Sequence, residues 1–70
     1  MTTFEIRLRN NDQHVATFED LRYSITVHRD APTNNLISAY FEILPSGRKF
    51  DGLTFKLFIN GVERKFLEDM

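Results

Sequence analysis

The sequence has no cysteine and no tryptophan, few glycines and prolines, and no long hydrophobic run. Without cysteine the chain has no disulfide framework, which fits a reducing compartment. No stretch approaches the roughly 18 apolar residues that cross a membrane, and Met1–Arg7 lacks the apolar centre of a secretory signal. We therefore expect a cytoplasmic protein.

A strong excess of one charge is also missing, since nine lysines and arginines stand against ten aspartates and glutamates. This balance argues against a strongly basic nucleic-acid binder and against an acidic imitator of DNA. The 70 residues are enough for one domain, so we take 1–70 as a single β-rich domain. Its core is small, and we expect seven phenylalanines and a binding partner to add stability.

The strongest structural signal is a pair of alternating segments joined by Asn60 and Gly61. Both residues accept the positive φ of a type I′ turn, which predicts a β-hairpin. The turn fixes the register, and the predicted pairs are Ile59 with Val62, Leu57 with Arg64 and Phe55 with Phe66. Lys56, Phe58 and Lys65 then share the face opposite the predicted core.

Alternation of apolar and polar residues predicts two earlier strands, around Phe4–Leu8 and Tyr23–Val27. Two turns set further registers. The turn at 10–13 implies Leu8 opposite Val15 and Ile6 opposite Thr17, and the turn at 45–48 implies Ile43 opposite Phe50 and Leu44 opposite Lys49.

The segment 36–44 fits two structures. As a strand it places Ile37, Ala39, Phe41 and Ile43 on one face, whereas as a helix it is apolar nearly all round. The strand pattern favours an all-β domain, an antiparallel meander of five or six short strands that forms a small barrel or sandwich. The alternative is an α+β fold with one short helix at 34–44.

Few residues carry chemistry. Asp12, His14, His28 and Asp30 converge as metal ligands if the second and third strands are antiparallel neighbours, but turn-flanking residues of these types are ordinarily solvated. Whether this group binds a metal stays open, and we assign no metal and no cofactor. No serine has a nearby histidine at a signature spacing, so we expect no enzyme.

Two binding functions are left. Aromatics flanked by cations, such as Lys56 with Phe58, are compatible with a single-stranded nucleic-acid-binding small β-barrel, although acidic residues lie among them. Large apolar groups on the second face of a sheet favour protein–protein interaction instead. The predicted partner-binding residues are Lys56, Phe58, Lys65, Leu67 and Tyr40.

We therefore predict a non-enzymatic protein–protein interaction module, with nucleic-acid binding as the alternative. Small chains of this kind, phage proteins among them, often serve as an accessory subunit or inhibitor of a larger complex. The partner is expected to be another protein or a second copy of the chain in a homodimer, because so short a chain buries little core.

Overall fold

The computed structural model describes residues 1–67, and every regular element in that range is a β-strand. Residues 68–70 of the predicted domain lie outside the described range. The strands are β1 (Thr2–Leu8), β2 (His14–Asp20), β3 (Arg22–Arg29), β4 (Leu36–Leu44), β5 (Arg48–Asp51), β6 (Phe55–Ile59) and β7 (Val62–Glu63). The predicted all-β fold is confirmed, and the alternative helix at 34–44 is replaced by β4. No helix suited to spanning a membrane occurs between residues 1 and 67.

The strands form two antiparallel sheets. The four-stranded sheet has the order β2-β1-β6-β7, and the three-stranded sheet has the order β3-β4-β5. Leu21 alone separates β2 from β3, and residues 52–54 return the chain from β5 to β6. Because β6 pairs with β1 rather than with β5, the connectivity departs from a simple meander.

The sheets share one core, as in a two-layer sandwich. Phe4, Ile6 and Leu57 from the four-stranded sheet are fully buried with Phe41 and Ile43 from β4. Alternation explains the choice, because every second residue of a strand points to the same side. Aromatic rings connect the layers: Phe4 meets Tyr23 at 6.2 Å, Phe18 stacks on Phe50 at 6.4 Å, and Phe50 meets Phe55 edge-on at 5.8 Å.

The closing hairpin confirms the turn and the first of the three predicted pairs. Asn60 and Gly61 both have positive φ, at 50° and 83°, and Ile59 pairs with Val62. The Arg64 N–H still donates to the Leu57 carbonyl, but the strand ladder ends at Glu63. The predicted pairing of Phe55 with Phe66 is therefore wrong.

Phe66 leaves the ladder because it packs into the core. The centre of its ring is 5.8 Å from that of Phe41, and the ring lies against Gly52, which has no side chain. A Cβ on Gly52 would be 2.6 Å from the Phe66 ring, closer than real Cβ atoms approach. Arg9 covers Phe66, with its guanidinium 5.3 Å from the ring centre, and donates to the Gly52 and Phe55 carbonyls. Residues 64–67, here called the C-terminal segment, thus close the sandwich beside β6.

The predicted register of β1 with β2 is also wrong. Ile6 lies opposite Ala16 rather than Thr17, and Val15 is the extra residue of a β-bulge. The loop begins one residue earlier than predicted, because the Leu8 N–H donates to the Gln13 carbonyl and Asp12 takes a positive φ of 63°. A β-bulge changes which side chains lie opposite each other on the two strands, although the sequence of each strand stays the same.

The register of β4 with β5 differs from the prediction by two residues. Phe41, not Ile43, lies opposite Phe50, and Ile43 lies opposite Arg48. The loop closes early because Gly47, at φ 82°, donates its N–H to the Ile43 carbonyl at 2.7 Å. A shift of two keeps apolar residues on the same face, so the sequence pattern fits both registers.

Candidate functional site

Phe58 lies on the outer face of the four-stranded sheet, on the side that the hairpin register predicts. Its ring is only 9% exposed, and the Arg7 guanidinium lies over it at 4.1 Å. Glu5 holds that guanidinium through two hydrogen bonds of 3.0 and 3.1 Å, and the same hydrogen bonding lowers the pKa of Glu5. Phe58 therefore offers little surface to a partner.

Three other predicted residues come together on this sheet. Lys56, Lys65 and Leu67 line one open depression of about 320 Å³, whose remaining lining residues are Arg9, Glu63 and Phe66. Lys56 donates to Asp12 at 2.7 Å, and this hydrogen bond lowers the pKa of the Asp12 carboxyl. Leu67 is only 8% exposed. The depression is a charged surface with little accessible apolar area.

Tyr40 lies apart from these residues, on the outer face of the three-stranded sheet. Its cross-strand neighbours are Thr26 and Asp51. The Lys49 ammonium lies 4.0 Å from the centre of its ring. The structure thus divides the predicted partner-binding residues between two opposite surfaces.

Cations over aromatic rings recur on both sheets of the molecule. A fourth contact places Arg48 over Phe18 at 4.1 Å, whereas such contacts occur roughly once per 70–80 residues in proteins. The covered rings are therefore poor platforms for stacked bases, which need an open aromatic face. Phe50, which follows Arg48 and Lys49 in the sequence, packs against Phe41 in the core.

The four candidate metal ligands are not brought together. Strands β2 and β3 belong to different sheets, so the condition under which the ligands converge is not met. Asp12 binds Lys56, and His14 shares a 2.7 Å hydrogen bond with the Thr17 hydroxyl. Within residues 1–67, no three side chains of metal-ligating type form a group.

A second depression, of about 400 Å³, lies between the 9–12 loop and the 52–54 connection. Its lining residues are Leu8, Arg9, Asn10, Leu53 and Thr54. Arg9 is the single charged group there, and its guanidinium already donates to two carbonyls. The lining contains no carboxylate or imidazole for general acid–base chemistry.

The feature that sequence reasoning missed is the unpaired side of β3, here called the β3 edge. Among the four edge strands described, β7 has two residues, β5 has four, and β2 is broken by the bulge at Val15. Short strands and bulges are the usual protections of an edge against pairing with another chain. β3 has eight residues, no proline and no extra residue of its own.

The apolar side of β3 is only partly covered. Tyr23, Ile25 and Val27 lie opposite the buried Ile43, Phe41 and Ala39, and therefore share their core-facing side. Nevertheless Tyr23 and Val27 are 36% and 37% exposed. Ile37, the extra residue of the bulge beside Arg29, is 54% exposed. Within residues 1–67, the edge thus combines a side of β3 that no described strand pairs with and accessible apolar side chains.

A buried carboxylate fixes the start of this edge. Asp20, the last residue of β2, accepts hydrogen bonds from the Ser46 and Leu21 N–H groups at 3.2 and 2.8 Å. Hydrogen bonding from Ser46, followed by that from Leu21, lowers the pKa of Asp20. The Leu21 N–H also donates to the Leu44 carbonyl. These contacts join the corner between the sheets to the β4–β5 turn.

No protein family, curated protein or solved structure matches this chain. The surfaces of the molecule are therefore the basis for its proposed function.

Proposed function

We propose that the protein is a non-enzymatic interaction module that binds another protein through the β3 edge. The observation that carries this proposal is an eight-residue edge without proline or a bulged residue, whose apolar side is about one-third exposed at Tyr23 and Val27. An extended segment of a partner adds to such an edge as a further strand. Main-chain hydrogen bonds then supply affinity, and alternate side chains supply specificity.

We propose that such a module acts in the cytoplasm as an accessory subunit or an inhibitor of a larger complex. Both depressions open to solvent, so they favour contact with a protein surface over enclosure of a substrate. A partner role for Lys56, Phe58, Lys65, Leu67 and Tyr40 stays a prediction. The low exposure of Phe58 and Leu67 supports a structural role for these two residues.

Single-stranded nucleic-acid binding has less support. The rings of Phe58 and Tyr40 are each covered by a cation, and the ring of Phe50 packs in the core. Several of the cations are also held within the molecule, Arg7 by Glu5 and Lys56 by Asp12. A cationic groove with open aromatic faces is not present among the described residues.

A matched pair of variants tests the proposed edge. Val27→Lys places a charge on the apolar side of β3, a common natural protection of edges. Val62→Lys makes the same change on β7, where Val62 is 71% exposed. In affinity capture from the cells that make the protein, we expect wild type and Val62→Lys to retain one stoichiometric protein that Val27→Lys loses.

Backbone chemical shifts of both variants establish that the fold is intact. If Val27→Lys retains the captured protein as well as Val62→Lys does, the interface does not lie on the β3 edge.

A further inference from the structure

The charged side chains of β3 are all cations, Arg22 at one end of the strand and Arg29 at the other. Arg22 begins the strand, His28 and Arg29 end it, and the strand contains no acidic residue. We propose that the partner contributes an extended strand with acidic residues at both ends and apolar residues at alternating positions between them. This inference rests on the proposed function and specifies the chemistry of the partner.

The alternation of β3 defines the inner positions of that strand. Paired residues on adjacent strands place their side chains on the same side of the sheet. Tyr23, Ile25 and Val27 are on the core-facing side, so the residues opposite them are apolar. Ser24 and Thr26 are exposed on the outer side, and neutral polar residues suit the positions opposite them.

The ends of β3 define the acidic positions. Arg22 is exposed and lies beside Leu44, and His28 is exposed and lies beside Ser38. Neither cross-strand neighbour is an acidic group. A carboxylate on an added strand forms an ion pair opposite Arg22 and accepts a hydrogen bond from the imidazole N–H opposite His28, contacts that their neighbours on β4 do not supply.

A second copy of the chain is a poorer occupant of the same edge. When β3 pairs antiparallel with itself about Ile25, its apolar residues match, but Arg22 lies opposite His28 at both ends. When it pairs about Thr26, Tyr23 lies opposite Arg29 and loses its apolar neighbour. Asp30, the next acidic residue, already accepts a 2.7 Å hydrogen bond from the Thr33 hydroxyl. Charge complementarity therefore favours a different protein.

Two blocked heptapeptides test the inference on the full chain. The first is Asp-Val-Thr-Val-Thr-Val-Glu, and the control, Lys-Val-Thr-Val-Thr-Val-Lys, differs only at its ends. Titration followed by nitrogen-15 chemical shifts locates the binding site. We expect the acidic peptide to shift residues 22–29 and to bind about tenfold more tightly than the basic one, a preference that declines with added salt.

Reversing the charges of the edge provides the decisive variant. Arg22→Glu combined with His28→Glu changes two exposed side chains, and we expect it to invert the preference between the two peptides. Equal binding of both peptides at residues 22–29 of the wild type overturns the acidic partner and leaves the proposed function standing. Absence of binding at those residues overturns both proposals. A concentration-dependent dimer with intermolecular contacts across β3 shows that a second copy is the occupant, which also overturns the inference.

Discussion

The core of the sandwich is covered to different extents on two of its sides, beside β6 and beside β3. Beside β6, the C-terminal segment packs Phe66 on Phe41, and Arg9 covers the same ring. Beside β3, no segment of residues 1–67 reduces the exposure of Tyr23 and Val27 below one-third. Both sides carry apolar residues of the sandwich, but only the side beside β6 is covered by the C-terminal segment.

The difference shows how a short chain divides its apolar residues between folding and binding. A domain of this size has too few residues to cover every side of its core. The covered side carries a large ring in a fitted space above Gly52, whereas the open side carries half-buried groups. We expect stability to depend mainly on the first side and recognition on the second.

The largest expected effect is that of Phe66→Ala on the covered side. Removal of the ring abolishes its contact with Phe41 and leaves a space that Gly52 cannot fill, so we expect a loss of about 3 kcal/mol of unfolding free energy. Urea unfolding measures the loss. A change below about 1 kcal/mol would show that the C-terminal segment contributes no more than an ordinary surface strand.

Gly52→Ala tests the covered side beside β6, because residue 52 lies beneath the Phe66 ring. The new Cβ meets the Phe66 ring at 2.6 Å and the Ala39 Cβ at 3.2 Å, and overpacking of this kind costs about 2 kcal/mol. Because the clash is mainly with Phe66, we expect the double variant with Phe66→Ala to be less destabilised than the sum of the single variants. Strictly additive losses would separate Gly52 from the packing of Phe66.

Tyr23→Ala examines the open side and is expected to cost about 1 kcal/mol, well below Phe66→Ala. Tyr23 meets Phe4 edge to face, but more than a third of its surface is already in solvent, so less burial is lost. Urea unfolding of the two variants under identical conditions makes the comparison. Equal losses would contradict the division between a stabilising side and a binding side.

The smallest expected effect depends on pH and concerns the corner that fixes the start of β3. Because the folded protein lowers the pKa of Asp20 below its ordinary value of 3.8, the carboxylate stabilises the fold above that value. The contribution is lost as pH falls through the folded pKa. We expect Asp20→Asn to melt at a lower temperature than wild type at pH 7, with the difference shrinking below pH 3.8.

Glu19→Gln, a change of an exposed carboxylate on the same strand, is the control for this comparison. A constant difference between wild type and Asp20→Asn across the pH range would show that the ionised carboxylate of Asp20 contributes nothing.

The strands could be predicted from sequence because alternation is a local property. Positive φ at Asn60 and Gly61 follows from residue types, whereas the alternation at 36–44 favoured the strand that is observed but also left a helix open. Strand registers were harder to predict from the sequence. The bulge at Val15 and the two-residue shift opposite Phe41 are both compatible with the same pattern of apolar residues. The pattern alone therefore predicts which face of a sheet a residue occupies better than which residue lies opposite it on the next strand.

The site was harder to predict than the fold. The outer-face position of Phe58 follows from the turn, but its cover by Arg7 depends on β1 lying beside β6. The openness of β3 depends on the strand order of the second sheet and on where the first sheet ends. Both are long-range properties that no local pattern in the sequence records.

The central position of β1 has a consequence for the order in which the molecule folds. β3, β4 and β5 are consecutive in the chain and form their sheet from nearby residues, whereas Thr3 and Asn60, which bond to each other, are 57 positions apart. Loop closure makes such distant pairing slow, while local pairing proceeds early. On a ribosome the β1–β2 hairpin and the three-stranded sheet can both form first, whereas β1 pairs with β6 only after β6 has emerged. During that interval the core residues Phe41 and Ile43 lack Leu57, which β6 contributes to the same buried cluster.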